Sequence, residues 1–275
     1  MVTMSKTVIT PPGRWDLPSV KELWEAREVL VSFGRRDVLL RYRQTVIGVA
    51  WVVLQPLAAA GIFAIVFGQV ADLPSNDVPY FIFAFAGMLA WNVFSGVASR
   101  SSSSLVANQS LVSKVFFPRM LVPLSTILAV LVDYVVAFGL FVVLLFVYGI
   151  NPGWPILLVP FWTLLAVLLG AAIGVASSAV MVKYRDVGYA LPWVIQILMY
   201  ATPVAYSLEA VPADLLWLFN INPLTWLLEG FRWSLLGQSA PEAWQVGALV
   251  VASVLAFMGG ALIFQKLERG FADVI

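Results

Sequence analysis

The sequence predicts an all-α membrane protein with six transmembrane helices, an N-terminal amphipathic interface helix, and two short re-entrant helices on the outer face between spans 5 and 6. Three observations carry that expectation. The chain has 275 residues, is 61% hydrophobic and 11% charged, and has a mean hydropathy of +0.92, whereas soluble domains carry roughly 25% charged residues. Long uncharged intervals alternate with short charged ones, on the scale of the ~20 apolar residues that cross a hydrocarbon core. Finally, fifteen of the sixteen Lys and Arg residues fall in segments that would share one face of such a bundle.

The elements follow in order along a single transmembrane domain, 1–275. Met1 to Pro12 holds one Lys and no apolar run, so a cleavable signal peptide is not expected. Ser19-Val20-Lys21-Glu22 matches a capping box, in which Ser and Glu side chains satisfy backbone N–H groups at a helix start. Behind it, Val20, Leu23, Trp24, Leu30 and Val31 gather on one side, and Lys21, Glu22, Glu25 and Glu28 largely on the other. That pattern predicts an amphipathic helix over 19–34, lying in the membrane interface or packed on another chain.

Gln44 to Ala71 is uncharged and gives span 1, 46–70; the next such interval gives span 2, 80–102. Between Tyr134 and Val182 lie 49 uncharged residues, too many for one crossing at about 1.5 Å per residue. The stretch Tyr148-Gly149-Ile150-Asn151-Pro152-Gly153-Trp154-Pro155 is dense in helix-stopping residues. Span 3 is therefore expected at 120–148 and span 4 at 155–181. Spans 5 and 6 follow at 187–208 and 243–264. The region 209–237 holds two apolar pieces, Leu215 to Ile221 and Leu224 to Leu236, split by Asn222-Pro223. Each is too short to cross, as re-entrant or interfacial segments are, which makes the pair a candidate gate or a structural cap.

Charge sidedness orients the bundle. The N-terminal arm carries Lys6, Arg14, Lys21, Arg27, Arg35, Arg36, Arg41 and Arg43; alternate loops carry Arg100, Lys114 and Arg119, then Lys183 and Arg185; the tail carries Lys266 and Arg269. Short loops rich in Lys and Arg stay in the cytoplasm, so both termini are expected there. The opposite loops carry Asp72, Asp77, Glu209, Asp214, Glu229 and Glu242 against Arg232 alone.

Several function classes are disfavoured. The chain has no Cys and no His, which removes disulfides, thiol chemistry and His relays. It has no G-x-x-x-x-G-K-[ST] nucleotide loop and no metal-ligand cluster, so neither an enzymatic activity nor a cofactor of its own is expected. Net charge of +1 gives no reason to expect a nucleic-acid partner. Within the spans only Asp133 is clearly ionisable; such a group marks an ion or substrate path or hydrogen-bonds a Ser or Thr of a neighbouring helix. One acidic residue is too few for a proton- or sodium-coupled carrier. Energy for uphill transport would have to come from another chain.

Particular blocks resemble a known family. Arg36-Asp37-Val38-Leu39-Leu40-Arg41-Tyr42-Arg43-Gln44-Thr45-Val46-Ile47-Gly48-Val49-Ala50-Trp51, followed by Gln55-Pro56, is similar to the opening block of the ABC type 2 export permeases for polysaccharides. These are the membrane subunits for O-antigen, capsule, galactan and teichoic acid export. Further matches follow in order: Gly87 with Trp91-Asn92 and Phe94; Asn108 through Pro123, including Ser110-Leu111-Val112, Lys114-Val115-Phe116-Phe117-Pro118-Arg119; Tyr184-Arg185-Asp186; Asn222-Pro223; and Phe271-Ala272-Asp273. The resemblance covers nearly the whole chain.

The resemblance implies a half-transporter of the bacterial plasma (inner) membrane. Two copies would pair with two separate nucleotide-binding subunits, whose hydrolysis of ATP with Mg drives export of a lipid-linked glycan. A small-molecule or drug exporter of the same superfamily, or a stand-alone channel or facilitator, is the alternative. Short cytoplasmic helices dock on the ATPase in that family, which points here to Asn108, Gln109, Lys114 and Arg119 in one loop and Arg185 and Asp186 in the next. Sugars stack their C–H faces on aromatic rings, so Trp91, Phe94, Trp193, Tyr200, Tyr206, Trp226, Phe231 and Trp233 are candidates for the substrate path; the other reading of each is an interfacial belt residue. Arg232 would meet a lipid diphosphate or an acidic sugar, or pair with Glu229 at i, i+3.

Overall fold

A computed structural model describes residues 20–43, 50–76, 78–112, 114, 117–268 and 270–271. Ser19 of the capping box, the stretch 44–49, Asp77 and Ala272-Asp273 lie outside the described residues. Every regular element among the described residues is a helix. In order these are α1 (Val20–Glu25), α2 (Arg27–Arg43), α3 (Ala50–Phe63), α4 (Tyr80–Ala107), α5 (Gln109–Val112), α6 (Leu121–Tyr148), α7 (Val159–Lys183), α8 (Val187–Tyr200), α9 (Leu216–Ile221), α10 (Pro223–Leu236) and α11 (Ala243–Glu268). A wide π-type turn, Ala64–Val70, extends α3, and a 3-10 turn, Trp154–Leu158, leads into α7.

Five of these helices, with their extensions, are long and apolar enough to cross a membrane: Ala50–Val70, Tyr80–Ala107, Leu121–Tyr148, Trp154–Lys183 and Ala243–Glu268. The expected fifth span is different. Helix α8 stops at Tyr200 after 14 residues, about 21 Å of rise against a core of about 30 Å. Beyond it Thr202 to Ser207 forms turns that are largely buried, with Pro203 unable to donate a helical hydrogen bond. Six full-length spans are therefore not what the helix lengths give.

Other boundaries follow local chemistry. Gly149 ends α6 in the left-handed conformation, φ 66°, which glycine adopts without a Cβ penalty. The Asn222-Pro223 break is where it was expected: the Asn222 side chain accepts from Leu224 N–H at 3.0 Å, and Pro223 takes the first helical position. The N-terminal helix runs further than 34. It bends at Ala26 and continues to Arg43, and Phe33 and Gly34 are packed against the bundle. Gly34 lies so close to α6 that a Cβ there would come within 2.8 Å of Leu128. Trp24 and Val31 are exposed.

Helix α4 is the spine. Ile82 through Trp91 is almost entirely sealed, as expected for a helix apolar on all sides. It packs on α7, α6 and α10. The close α4–α7 approach depends on Gly170 and Gly174, where a Cβ would come within 2.6 Å of the Phe94 carbonyl and 2.5 Å of the Ser101 side chain. This small-xxx-small spacing lets helix backbones meet without a hydrophobic driving force in lipid. Ser101 adds polar contacts to α6, donating to the Pro123 carbonyl and sharing a hydrogen bond with Thr126, both at 2.9 Å.

Candidate functional site

Three groups of side chains stand apart from ordinary helix packing. The first surrounds Arg232, which sits fully buried on α10. Its Nη1 donates to Glu229 Oε1 at 3.2 Å, its Nη2 donates to the Val204 carbonyl at 3.0 Å, and its guanidinium carbon lies 4.0 Å from the Phe83 ring centroid. The Nε has no hydrogen-bond partner among the described residues. Around it, the Tyr80 hydroxyl donates to the Ala205 carbonyl at 2.7 Å and Asn222 Nδ2 donates to Thr202 Oγ1 at 2.9 Å. The irregular backbone after α8 is thus satisfied by α4 and α10, as non-helical chain at membrane depth must be. Arg232 fastens this corner, and the i, i+3 pairing with Glu229 is the one observed.

The second group is an ion cluster on the basic side of the bundle. Asp133 of α6 bridges two arginines. Its Oδ2 receives Arg41 Nη1 of α2 at 2.8 Å and Arg100 Nη2 of α4 at 2.6 Å. Arg100 was expected in a loop; α4 continues to Ala107 and carries it into the bundle. The signal that would have placed it is the run Ser99 to Ser104. Those serines return their hydroxyls to helix carbonyls, as Ser102 and Ser104 do at 2.7 Å, and so let the helix continue.

The third group lies at the basic end of α4 and α7. Gln109 lines a groove of about 390 Å³ with Lys183, Tyr184, Arg185 and Asp186. Two candidate coupling loops, read separately from the sequence, therefore form one surface. Lys114 is exposed nearby. Asn108 and Arg119 face inward instead: Asn108 Oδ1 accepts from Arg36 Nη2 at 2.7 Å, while Arg119 donates to the Glu268 carbonyl at 3.3 Å and lies over the Phe271 ring.

The aromatic candidates divide by exposure. Trp91, Phe94 and Phe231 are core residues, and with Arg232 they face other helices of the same chain. Trp226 and Trp233 are half-buried, edge-on to Trp244 and Trp154 at 5.5 and 5.6 Å between ring centroids. Tyr206 is half-buried and donates to the Tyr200 carbonyl at 2.8 Å. Trp193 and Tyr200 are 65% and 61% exposed, and Tyr189, passed over in the sequence, is 85% exposed. The three stand at i, i+4 and i+11 on α8, one helical face, and that spacing was the available signal. Among the described residues no group of three or more acidic side chains is placed to hold a metal.

Comparison with known proteins adds to this geometry. A family model described as ABC-2 type transporter matches residues 28–236. The chain is 26% identical over 252 residues to an O-antigen export system permease protein of Klebsiella pneumoniae, covering 90% of this chain and 95% of that protein. A Myxococcus xanthus protein of the same description is 27% identical over 258 residues, covering 93% and 98%. A polysialic acid transport protein of Escherichia coli is 23% identical over 256 residues, covering 90% and 96%.

Proposed function

The chain belongs to the ABC-2 type transporter family, and from that premise we propose that it is the membrane subunit of an ATP-driven exporter of a lipid-linked polysaccharide. The observation that carries this reading is similarity along nine-tenths of the chain to relatives named for O-antigen export and polysialic acid transport. It works as a homodimer in the bacterial plasma membrane, with both termini in the cytoplasm and two separate ATPase subunits beneath. ATP and Mg bind to those subunits.

The residues support a division of labour. The exposed face of α8, Tyr189, Trp193 and Tyr200, offers rings on which sugar C–H faces stack; two copies with these faces opposed would line one path. Helix α8 with the turns after it completes a sixth crossing, and α9 and α10 re-enter from the outside to close it, held by Arg232. The groove between Gln109 and the Lys183–Asp186 loop receives the ATPase. Conformational work enters there and reaches the outer closure through α4.

The test is a reconstituted complex. Co-expression with a candidate ATPase partner is expected to give a co-purifying assembly whose hydrolysis depends on this chain, and depletion is expected to build up lipid-linked glycan inside the cell. Solute flux through the isolated chain, with no such partner, would instead favour a channel. Unchanged glycolipid on depletion would count against polysaccharide export and leave a small-molecule exporter as the reading.

A further inference from the structure

Past the last turn of α11, Phe271 is 2% exposed and lies edge-on to Phe264 at 5.9 Å between ring centroids. It belongs to an apolar cluster on the basic side of the bundle, together with Leu105 near the end of α4, Val112 of α5, Met120 just before α6 and Val182 near the end of α7. Leu105 and Val182 are also walls of the groove that Gln109 shares with Lys183, Tyr184, Arg185 and Asp186. The apolar base of that groove and the tail after α11 are therefore one packed unit.

Arg119 ties this unit to the start of α6. Its Nη1 donates to the Glu268 carbonyl at 3.3 Å, and its guanidinium carbon lies 5.7 Å from the Phe271 ring centroid. Carbonyls in the last turn of a helix lack intrahelical donors and sit at its negative end, so a cation placed there satisfies one of them while the ring face attracts it as well. The stretch from Asn108 to Arg119 is thus held at both ends by different elements, Asn108 by Arg36 of α2 and Arg119 by the tail. The groove walls come from the ends of α4 and α7, and helix ends open locally more readily than helix middles. Their spacing has to be fixed from outside, and neither Arg119 nor Phe271 lines the groove itself.

We propose that Arg119 and Phe271 are positioning residues for the groove: they form a clasp between the tail and the start of α6 that sets the spacing of its two walls. The inference rests on that groove being where the ATPase binds.

Two measurements on the full-length chain test it: the affinity of the same co-expressed ATPase subunit, and hydrogen–deuterium exchange of the chain alone. Arg119→Gln, and Phe271→Leu, which stays apolar and removes the ring, are each expected to weaken ATPase binding about tenfold, the scale of one hydrogen bond from a charged group. Arg119→Lys keeps a cation over the ring and is expected to recover most of that loss. The paired variant Arg119→Gln with Phe271→Leu is expected to bind no more weakly than the weaker single variant, since both open one clasp. In the chain alone, exchange over 105–112 and 182–187 is expected to quicken in both single variants while the middle of α4, 82–94, stays as slow as in the wild type. ATPase binding equal to the wild type in both variants would overturn the proposal. So would unchanged exchange over the two segments, or a general quickening that includes the middle of α4, the mark of a merely structural role. Absence of ATPase binding by the wild type itself would remove the reading of the groove, and the clasp would then stand or fall on exchange over 105–112 and 182–187.

Discussion

Replacing Arg232 with Met tests whether the corner behind α8 is built as described. The substitution keeps an unbranched, similarly long side chain and removes the guanidinium. It deletes a hydrogen bond to the Glu229 carboxylate and one to the Val204 carbonyl; bonds involving a charged group contribute about 1.5–3 kcal/mol. It also deletes a desolvated cation–π contact with Phe83 at 4.0 Å, worth about 2 kcal/mol. Against this, a fully buried cation with an unpartnered Nε carries a desolvation cost that Met relieves. The balance leaves an expected loss of about 3 kcal/mol. Glu229 is then without its cation, at 23% side-chain exposure, so Glu229→Gln on top of Arg232→Met is expected to recover about 1 kcal/mol. The assay is reversible unfolding in mixed micelles followed by tryptophan fluorescence. A loss below about 1 kcal/mol with export abolished would refute the reasoning and return Arg232 to substrate binding.

Three more substitutions bear on the same architecture. Gly87→Ala places a Cβ 2.2 Å from the Val204 carbonyl oxygen, so about 1–3 kcal/mol of overpacking is expected, read as a lower unfolding midpoint; an unchanged midpoint would show that the turn after α8 yields freely. Trp193→Ala with Tyr200→Ala removes exposed rings and is expected to change stability by no more than about 0.5 kcal/mol per site while slowing glycan export in vesicles. Full export by this variant would remove α8 from the path. Arg185→Glu reverses a charge on the exposed groove rim and is expected to reduce ATPase co-purification without altering the unfolding midpoint; undiminished co-purification would move the docking surface elsewhere.

What the sequence made legible was whatever depends on the cost of putting backbone and charge into hydrocarbon. The breaks at Gly149 to Pro155 and at Asn222-Pro223 follow from residues that stop or start helices on their own account, and the structure places them where those residues stand. The early end of α8 was not legible, because the segment stays apolar to Leu208 and hydropathy cannot tell a helix from turns whose carbonyls are satisfied by Tyr80 and Arg232. The same blindness hid which aromatics face inward. Trp91 and Phe94 sit on a helix apolar all round, where periodicity has no contrast to show, and their burial is decided by α6, α7 and α10. Arg100 was counted with the loop after span 2 on its charge alone, although the span read at 80–102 already reached past it and the helix runs on to Ala107.

Helix α4 is 28 residues long, about 42 Å from end to end. Its first residue, Tyr80, grips the Ala205 carbonyl, and the residue after its last turn, Asn108, receives Arg36 of α2. An axially stiff rod pinned at both tips cannot slide at one without straining the other. A displacement of α2 toward or away from the bundle would therefore strain the Arg36–Asn108 bond first, and whatever part of it α4 carried would reach the turn beside Arg232. In mechanical terms α4 is a pushrod, and the hydrogen bonds at its tips set the largest stroke it can carry before one end lets go.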